Sequence, residues 1–447
     1  MLEAVLLAAA LSSSPVFAGD EPLQLQLDAP FNDLFDHARE DAYPVTGTLR
    51  VLDEGRLVAI DGVTITLRGH TSRRENECSF PKLKVDFPDD AHPPVVFAGL
   101  SSLKIGTHCG EAAADQLTPR FGRLANERSP FREALVYRVL GALEIPTLKA
   151  RPARITYRYT DARSGQSPTQ DQPLVRDAVV LEGTDEAVRR VGGRREIGED
   201  EFTTAQAQFS TSDTVRLAFA EAMIGNFDWC LKMTAGDEYR CDARHPLWNI
   251  VAADRGDGRA IPLLYDFDVA GIVTGRHPWF RDVFSTAFGS SGAEWEIEVI
   301  AQLQRARGLF ARSDLDAARA HFTRRKPQVY QTLAAAPLDA AGRAIAQHYL
   351  DSFYAQVESD DNFYRPVVTA HDAQAYAEAE QGPICGSRSV VPAGTPVGNP
   401  MQTVGTRVQV MVLDAFWHWA SRPACAAVRR GPVWIDAGAI GRDFPPR

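Results

Sequence analysis

The chain has 447 residues, 45% of them apolar or aromatic and 24% charged, with a formal net charge of −10. The acidic balance gives no support to a phosphate-backbone partner or an anionic membrane surface, so no nucleic-acid partner is expected. The length exceeds what one hydrophobic core usually serves and calls for two or three domains.

The N-terminus reads as an export leader over residues 1–18. An apolar core, Ala4 to Leu11, leads to Val16-Phe17-Ala18, a small-x-small cleavage pattern, although the n-region carries Glu3 and no Lys or Arg. The chain is therefore expected to be exported, periplasmic or secreted, and no later apolar run is long enough for a transmembrane span. Six cysteines fit that compartment, and nearest-neighbour pairing gives Cys78–Cys109, Cys230–Cys241 and Cys385–Cys425, one of fifteen connectivities. No C-x-x-C occurs, which argues against a structural zinc site.

Residues 45–110 alternate at period two in "GTLRVL", "RLVAI", "VTITLRG", "PKLKVDF" and "LSSLKIG", with turns expected at Asp53-Glu54-Gly55 and Asp61-Gly62. From Ser129-Pro130 the period becomes helical through Phe131, Leu135, Val136, Val139, Leu140 and Leu143, with a serine cap. Two strands follow, "ARITYRY" and "LVRDAVVLEG". The next helix is expected from Thr214 to Ile224, capped by Asp213 and stopped by Gly225. A hairpin pairs "WNIVAA" with "AIPLLY" around residues 254–258, and residues 293–359 are mostly helical. A Pro/Gly-rich stretch near 382–400 marks a boundary. The tail beyond it weakly resembles bacterial SH3-like domains through "G-x-x-V-x-V" and "G-x-V-W-I".

The chemistry concentrates around "AIPLLYDFDVAG" (260–271). In an extended chain Asp266 and Asp268 share a face with Phe267 on the other, and two such carboxylates repel unless a cation or water reaches both. Upstream lies "GNFDW" (225–229), so the order is helix, Asn226-x-Asp228, Asn249, hairpin, Asp266. A protein kinase deploys its catalytic loop and magnesium aspartate in that order. Magnesium takes hard oxygen ligands, and a base beside a metal-bound phosphate must stay ionised, which suits Asp. The upstream parts also arrive in sequence: strand lysines Lys82, Lys84 and Lys104, helix Glu133, then an adenine-side strand ending at Glu182. No G-x-G-x-x-G precedes the lysines; Arg68, Arg73 and Arg74 stand where a glycine loop would hold phosphate. Taken singly, Asp228 reads equally as a turn residue, Asp268 as a helix cap, and the lysines as solvated strand residues.

These residues carry a resemblance. "TLRGHTSRRENECSFPKLKVDF", "LSSLKIGTHC", "PFREALVYRVL", "IGNFDW", "WNIV" and "IPLLYDFDVAG" look like the CotH-type (spore-coat protein H) kinase-like proteins, across roughly residues 45–360. The resemblance implies an α+β, atypical protein-kinase-like fold. Its parts are a β-rich N-terminal lobe with one long helix at 22–175, a mainly helical lobe carrying the catalytic hairpin at 176–380, and a small SH3-like β-barrel at 385–447. It implies ATP as phosphate donor, Mg2+ or Mn2+ as cofactor, and Ser/Thr hydroxyls of an exported protein as acceptor. By position, Asp228 is the loop aspartate with Asn226 beside it, and Asp266 is the metal aspartate with Asp268 a second ligand. Lys82, Lys84 or Lys104 contacts phosphate. Asn249 falls on the second metal ligand, although about twenty residues rather than the usual five or so separate it from Asp228. The competing reading is a catalytically inactive kinase-like envelope protein whose C-terminal module holds a cell-wall or protein ligand. A hydrolase using Asp266 and Asp268 as acid and base is disfavoured, because they lie too close together in sequence to flank a scissile bond.

Overall fold

A computed structural model describes residues 14–40, 42–53, 55–74, 76–90, 93–160, 173–202, 208–231, 241, 246–275, 294–364, 367–382, 390–397, 402–410, 412 and 432–441. The chain is α+β and divides into two compact units. The first takes Met1–Ile197, Val251–Asp268 and Thr332–Asp339; the second takes Gly198–Ile250, Val269–Gln331 and Ala340–Arg447.

The first unit is built on a closed seven-stranded barrel: β1 (Leu23–Ala29), β2 (Val45–Asp53), β3 (Arg56–Leu67), β4 (Leu83–Asp86), β5 (Ser102–Gly106), β6 (Ala150–Tyr159) and β7 (Leu174–Leu181), in the order β1-β2-β3-β4-β5-β7-β6. β1 closes it, pairing antiparallel with β2 (Leu27 opposite Leu49) and parallel with β6 (Leu27 opposite Tyr157). Alternate residues fill the interior: Leu23, Leu25 and Leu27 from β1, Leu83 and Val85 from β4, Leu103 and Ile105 from β5. The turn expected at Asp61-Gly62 is instead a β-bulge inside the single long strand β3. The register slips between Gly47 and Thr48, and Gly62 takes φ +73°, a conformation only glycine adopts without strain.

A short helix, α1 (Phe31–Asp36), follows β1, and the long α2 (Ser129–Ala142) packs on β6 and β7. α2 is buried nearly all round, including Arg132 and Glu133. Its expected serine cap is absent: Arg128 holds the cap position and Ser129 is the first helical residue. α3 (Thr184–Arg190) follows β7. Strand β8 (Arg195–Ile197) pairs with β9 (Ile250–Asp254), whose hairpin partner is β10 (Arg259–Leu264).

The second unit is mainly helical: α4 (Thr211–Met223), α5 (Glu294–Leu309), α6 (Arg312–Ala335, its last turn in the first unit) and α7 (Ala340–Val357). Phe219 of α4 anchors its core against Phe322, Phe353 and Phe363, at ring-centre distances of 5.7, 6.2 and 5.7 Å. α4 begins earlier than expected because Ser210, not Asp213, caps it: the Ser210 hydroxyl accepts from the Asp213 backbone N–H at 3.1 Å. In the tail, Val367–Thr369 pairs with Pro396–Val397 and Ile440–Gly441, and Arg407–Val410 lies between Gln402–Val404 and Val433–Asp436, around a small apolar core of its own. The tail's sheets thus include residues N-terminal of the Pro/Gly-rich stretch.

Disulfides join Cys78 to Cys109 in the first unit and Cys230 to Cys241 in the second, the linkages an oxidising compartment favours. Cys385, Cys425 and residues 1–13 of the expected leader lie outside the described residues. Among the described residues no helix is long and apolar enough to cross a membrane.

Candidate functional site

In the first unit, a buried cluster of charge forms around Lys82. Lys82 immediately precedes β4, its carbonyl accepting from the Arg68 N–H at 2.9 Å. Its side chain is 7% exposed, and its ammonium contacts the Asp266 carboxylate and, at 2.8 Å, Asp268 Oδ2. Both aspartates therefore meet one cation, while Phe267 between them is buried edge-on against Tyr137, 4.8 Å between ring centres. β10 delivers them. Leu264 donates its N–H to Pro146 O and accepts from Thr147 Oγ1 at 2.7 Å, and the chain then turns sharply at Asp266, whose φ is +65°. A left-handed aspartate is strained, and the Asp266 N–H is held there by the Tyr137 hydroxyl, which accepts it at 3.1 Å.

Asp268 is gripped a second time by Arg123, whose Nε donates to Oδ2 at 2.7 Å. Arg123 in turn reaches Glu77 Oε2 at 3.5 Å and donates to Thr71 Oγ1 at 2.6 Å. Glu133 enters from α2, 2% exposed, with Oε1 lacking a hydrogen-bond partner among the described residues. Gly106 makes room for it: a Cβ there would sit 3.2 Å from Glu133 Oε2. Burial alone pulls the Lys82 ammonium down, but Asp266, Asp268 and Glu133 together outweigh it and raise the group, so it stays charged. Burial pushes Asp268 up, and the opposing Arg123 and Lys82 charges hold it below the usual carboxylate range. Glu133 is left well above that range, because burial exceeds the help from Lys82.

The other candidates in this unit fall elsewhere. Lys84 is 41% exposed and paired with Asp86 at 2.7 Å. Lys104, its register partner on β5, donates to Thr184 Oγ1, and burial with the nearby Arg68 charge lowers it to about 8. Arg68 acts electrostatically on Lys82, Lys104 and Glu133 alike, and its Nε is buried with no hydrogen-bond partner among the described residues. Arg73 is bonded to the carbonyls of Gly69 and Glu40, and Arg74 stacks over Phe121. Glu182 is committed to Arg190, 2.8 Å away, and to the Lys149 N–H.

In the second unit, the loop after α4 builds around Asp228. Gly225 ends the helix with φ +62°, and Asn226, fully buried, accepts the Asp228 N–H at 2.9 Å while donating to Glu221 Oε2 at 2.9 Å. Asn249 donates to the carbonyl and carboxylate of Asp228, the latter at 3.1 Å, and Trp248 Nε1 donates to Oδ1 at 3.3 Å. The Gly271 and Ile272 N–H groups, just beyond Asp268, donate to Gly225 and Ile224 carbonyls at 3.0 Å each. Trp229 is a packing residue whose Nε1 donates to Gln302 at 3.3 Å.

Chemically, Asp266 offers a carboxylate with 27% of its side chain exposed, and Asp268 keeps a buried Oδ1 that has no hydrogen-bond partner among the described residues. Those are hard oxygens of the kind magnesium or manganese takes, so the donor set fits such a cation. Among the described residues no three His, Cys, Asp or Glu side chains form a ready metal cluster. Sequence reasoning missed Tyr137, Arg123 and Glu221. Tyr137 stands four residues after Glu133 on the same helix face, a spacing that signals it. Arg123 lies in a loop without periodicity and gives no such signal. No protein-family model and no curated protein matches the chain.

Proposed function

We propose that this chain is an atypical, CotH-like kinase that transfers phosphate from ATP, with magnesium or manganese, to Ser or Thr hydroxyls of an exported protein. The observation that carries the reading is the meeting of Lys82, Glu133 and Asp266 in one buried cluster. They come from the residue just before β4, the long helix and the turn after the hairpin, close to where kinases place the phosphate lysine, its glutamate and the metal aspartate. In this reading the barrel unit stands for the β-rich lobe, the helical unit for the second lobe, and the tail for an SH3-like module.

Lys82, rather than Lys84 or Lys104, is the phosphate lysine, and the Glu133 charge helps keep it ionised. Arg68, whose buried Nε has no hydrogen-bond partner among the described residues, holds phosphate in place of a glycine loop. Asp266, with Asp268 behind it, holds the metal, which when bound neutralises phosphate charge. The resemblance assigns Asp228 the acceptor's proton and Asn249 a metal; Asn226 holds the Asp228 backbone, and the Asn249 amide donates to Asp228. The second reading, an envelope binding protein without turnover, draws on one fact: Lys82 and Arg123 already neutralise both aspartates.

The test is phosphoryl transfer from γ-labelled ATP to casein and to the chain itself, with Mg2+ or Mn2+. Transfer is expected and should fall at least about 100-fold in Asp228→Ala, the scale of a lost general base. Nucleotide binding without transfer would favour the second reading, and transfer unchanged in Asp228→Ala would remove the assigned base.

A further inference from the structure

A cavity of about 480 Å³ opens in the first unit on the side of α2 that ends at Ala142, walled by the 144–150 segment, the end of α3 and residues 17–20. Its volume is that of a small-molecule site. Three cations line it, and they differ in what already holds them. Arg190 is spent: its Nε and a terminal nitrogen grip Glu182, and that nitrogen also donates to Thr147 O at 2.6 Å. Arg138 has one terminal nitrogen on Asp20, while the other is buried with no hydrogen-bond partner among the described residues. Lys149 is half-buried, and no hydrogen bond or ion pair to its ammonium occurs among the described residues.

A half-buried ammonium without a counter-ion carries a desolvation cost that something normally offsets. Burial and the Arg190 charge lower the Lys149 amine, with Glu182 opposing them only in part. Of the acids on the wall, Asp20 is engaged by Arg138 and Glu144 is exposed to water. Phe17, Ile145, Leu148 and Val191 add apolar surface. The wall is pre-formed, because Thr147 is bonded on both sides, to Arg190 and to Leu264.

The geometry points to a binding site for a small organic anion, a carboxylate or phosphate monoester. Its oxyanion meets Lys149 and the open nitrogen of Arg138, and its carbon body rests on the apolar wall. The cations belong to residues 138–190, so they remain when the leader is removed, whereas Phe17 leaves the wall with it. It does not depend on the proposed kinase activity.

The probes are benzoate, glucose 1-phosphate and inorganic phosphate, titrated into the full chain at constant ionic strength while its melting temperature is followed. At least one organic anion should give a saturating rise, weakened tenfold or more in Lys149→Gln and largely restored in Lys149→Arg. Should Lys149→Gln fail to fold, acylation of the wild-type protein followed by peptide mapping serves instead: the same anion should protect Lys149 and leave exposed Lys84 reactive. Three results would overturn the proposal: no saturating shift with any probe, an equal shift in Lys149→Gln, or unprotected Lys149. A response to inorganic phosphate alone would overturn the organic-anion assignment.

Discussion

Asp268 and Glu221 are both buried carboxyls, yet their surroundings hold them in opposite protonation states. Arg123 and Lys82 flank Asp268, so it remains ionised despite burial. Among the described residues no cation faces Glu221: burial, opposed only by the Asn226 amide and reinforced by the Asp228 charge, raises it from 4.5 to about 8. At neutral pH it is therefore a protonated acid, bonded to the amide that in turn orients the Asp228 backbone. The folded chain keeps this proton between about pH 4.5 and 8 whereas the unfolded chain releases it, so this group's contribution to stability falls as pH rises through that window and levels off above it. The slope it adds is no steeper than about 1.4 kcal/mol per pH unit. Glu221→Gln keeps the carbonyl that accepts from Asn226 and removes the titration. Urea denaturation at pH 5, 7 and 9 should show a flatter profile for the variant, and greater stability than wild type at pH 9. An unchanged profile would mean that Glu221 is already ionised.

At the scale of elements, the loop carrying Asp228 depends on how α4 ends. Gly225 sits at φ +62°, and a Cβ there would lie 2.3 Å from Tyr349 Cε1 of α7. Gly225→Ala should cost about 2 kcal/mol or more, from the left-handed backbone plus the clash, and lower the melting temperature by several degrees; a variant that melts like wild type would show that the loop can rearrange freely. This stop was legible, because a glycine after a helical pattern is a local signal. So were the hairpin before Asp266 and the helix carrying Glu133, each written in its own periodicity. Barrel closure was not read: "LQLQLDA" alternates cleanly, but its parallel partner lies more than a hundred residues away. Choosing among Lys82, Lys84 and Lys104 was equally beyond local pattern. All three are strand lysines in sequence, and only the tertiary path of Asp266 and Asp268 distinguishes the first. Nor does Asp61-Gly62 announce a bulge, since a turn and a bulge use the same glycine chemistry.

For the whole molecule, a barrel-based unit and a helical unit each carry one disulfide among the described residues. Such a chain suits an oxidising compartment, and the leader-like first residues point the same way. The kinase reading rests on the cluster of Lys82, Glu133 and Asp266, with the Arg68 charge acting on it. Nucleotide-dependent melting addresses that reading most directly. ATP with Mg2+ at a hundredfold excess over its dissociation constant should stabilise the chain by about 2.7 kcal/mol. The rise should require the metal and vanish in both Lys82→Met and Asp266→Ala. A melting temperature indifferent to ATP and Mg2+, or a shift that survives both substitutions, would contradict the assignment of this cluster to nucleotide.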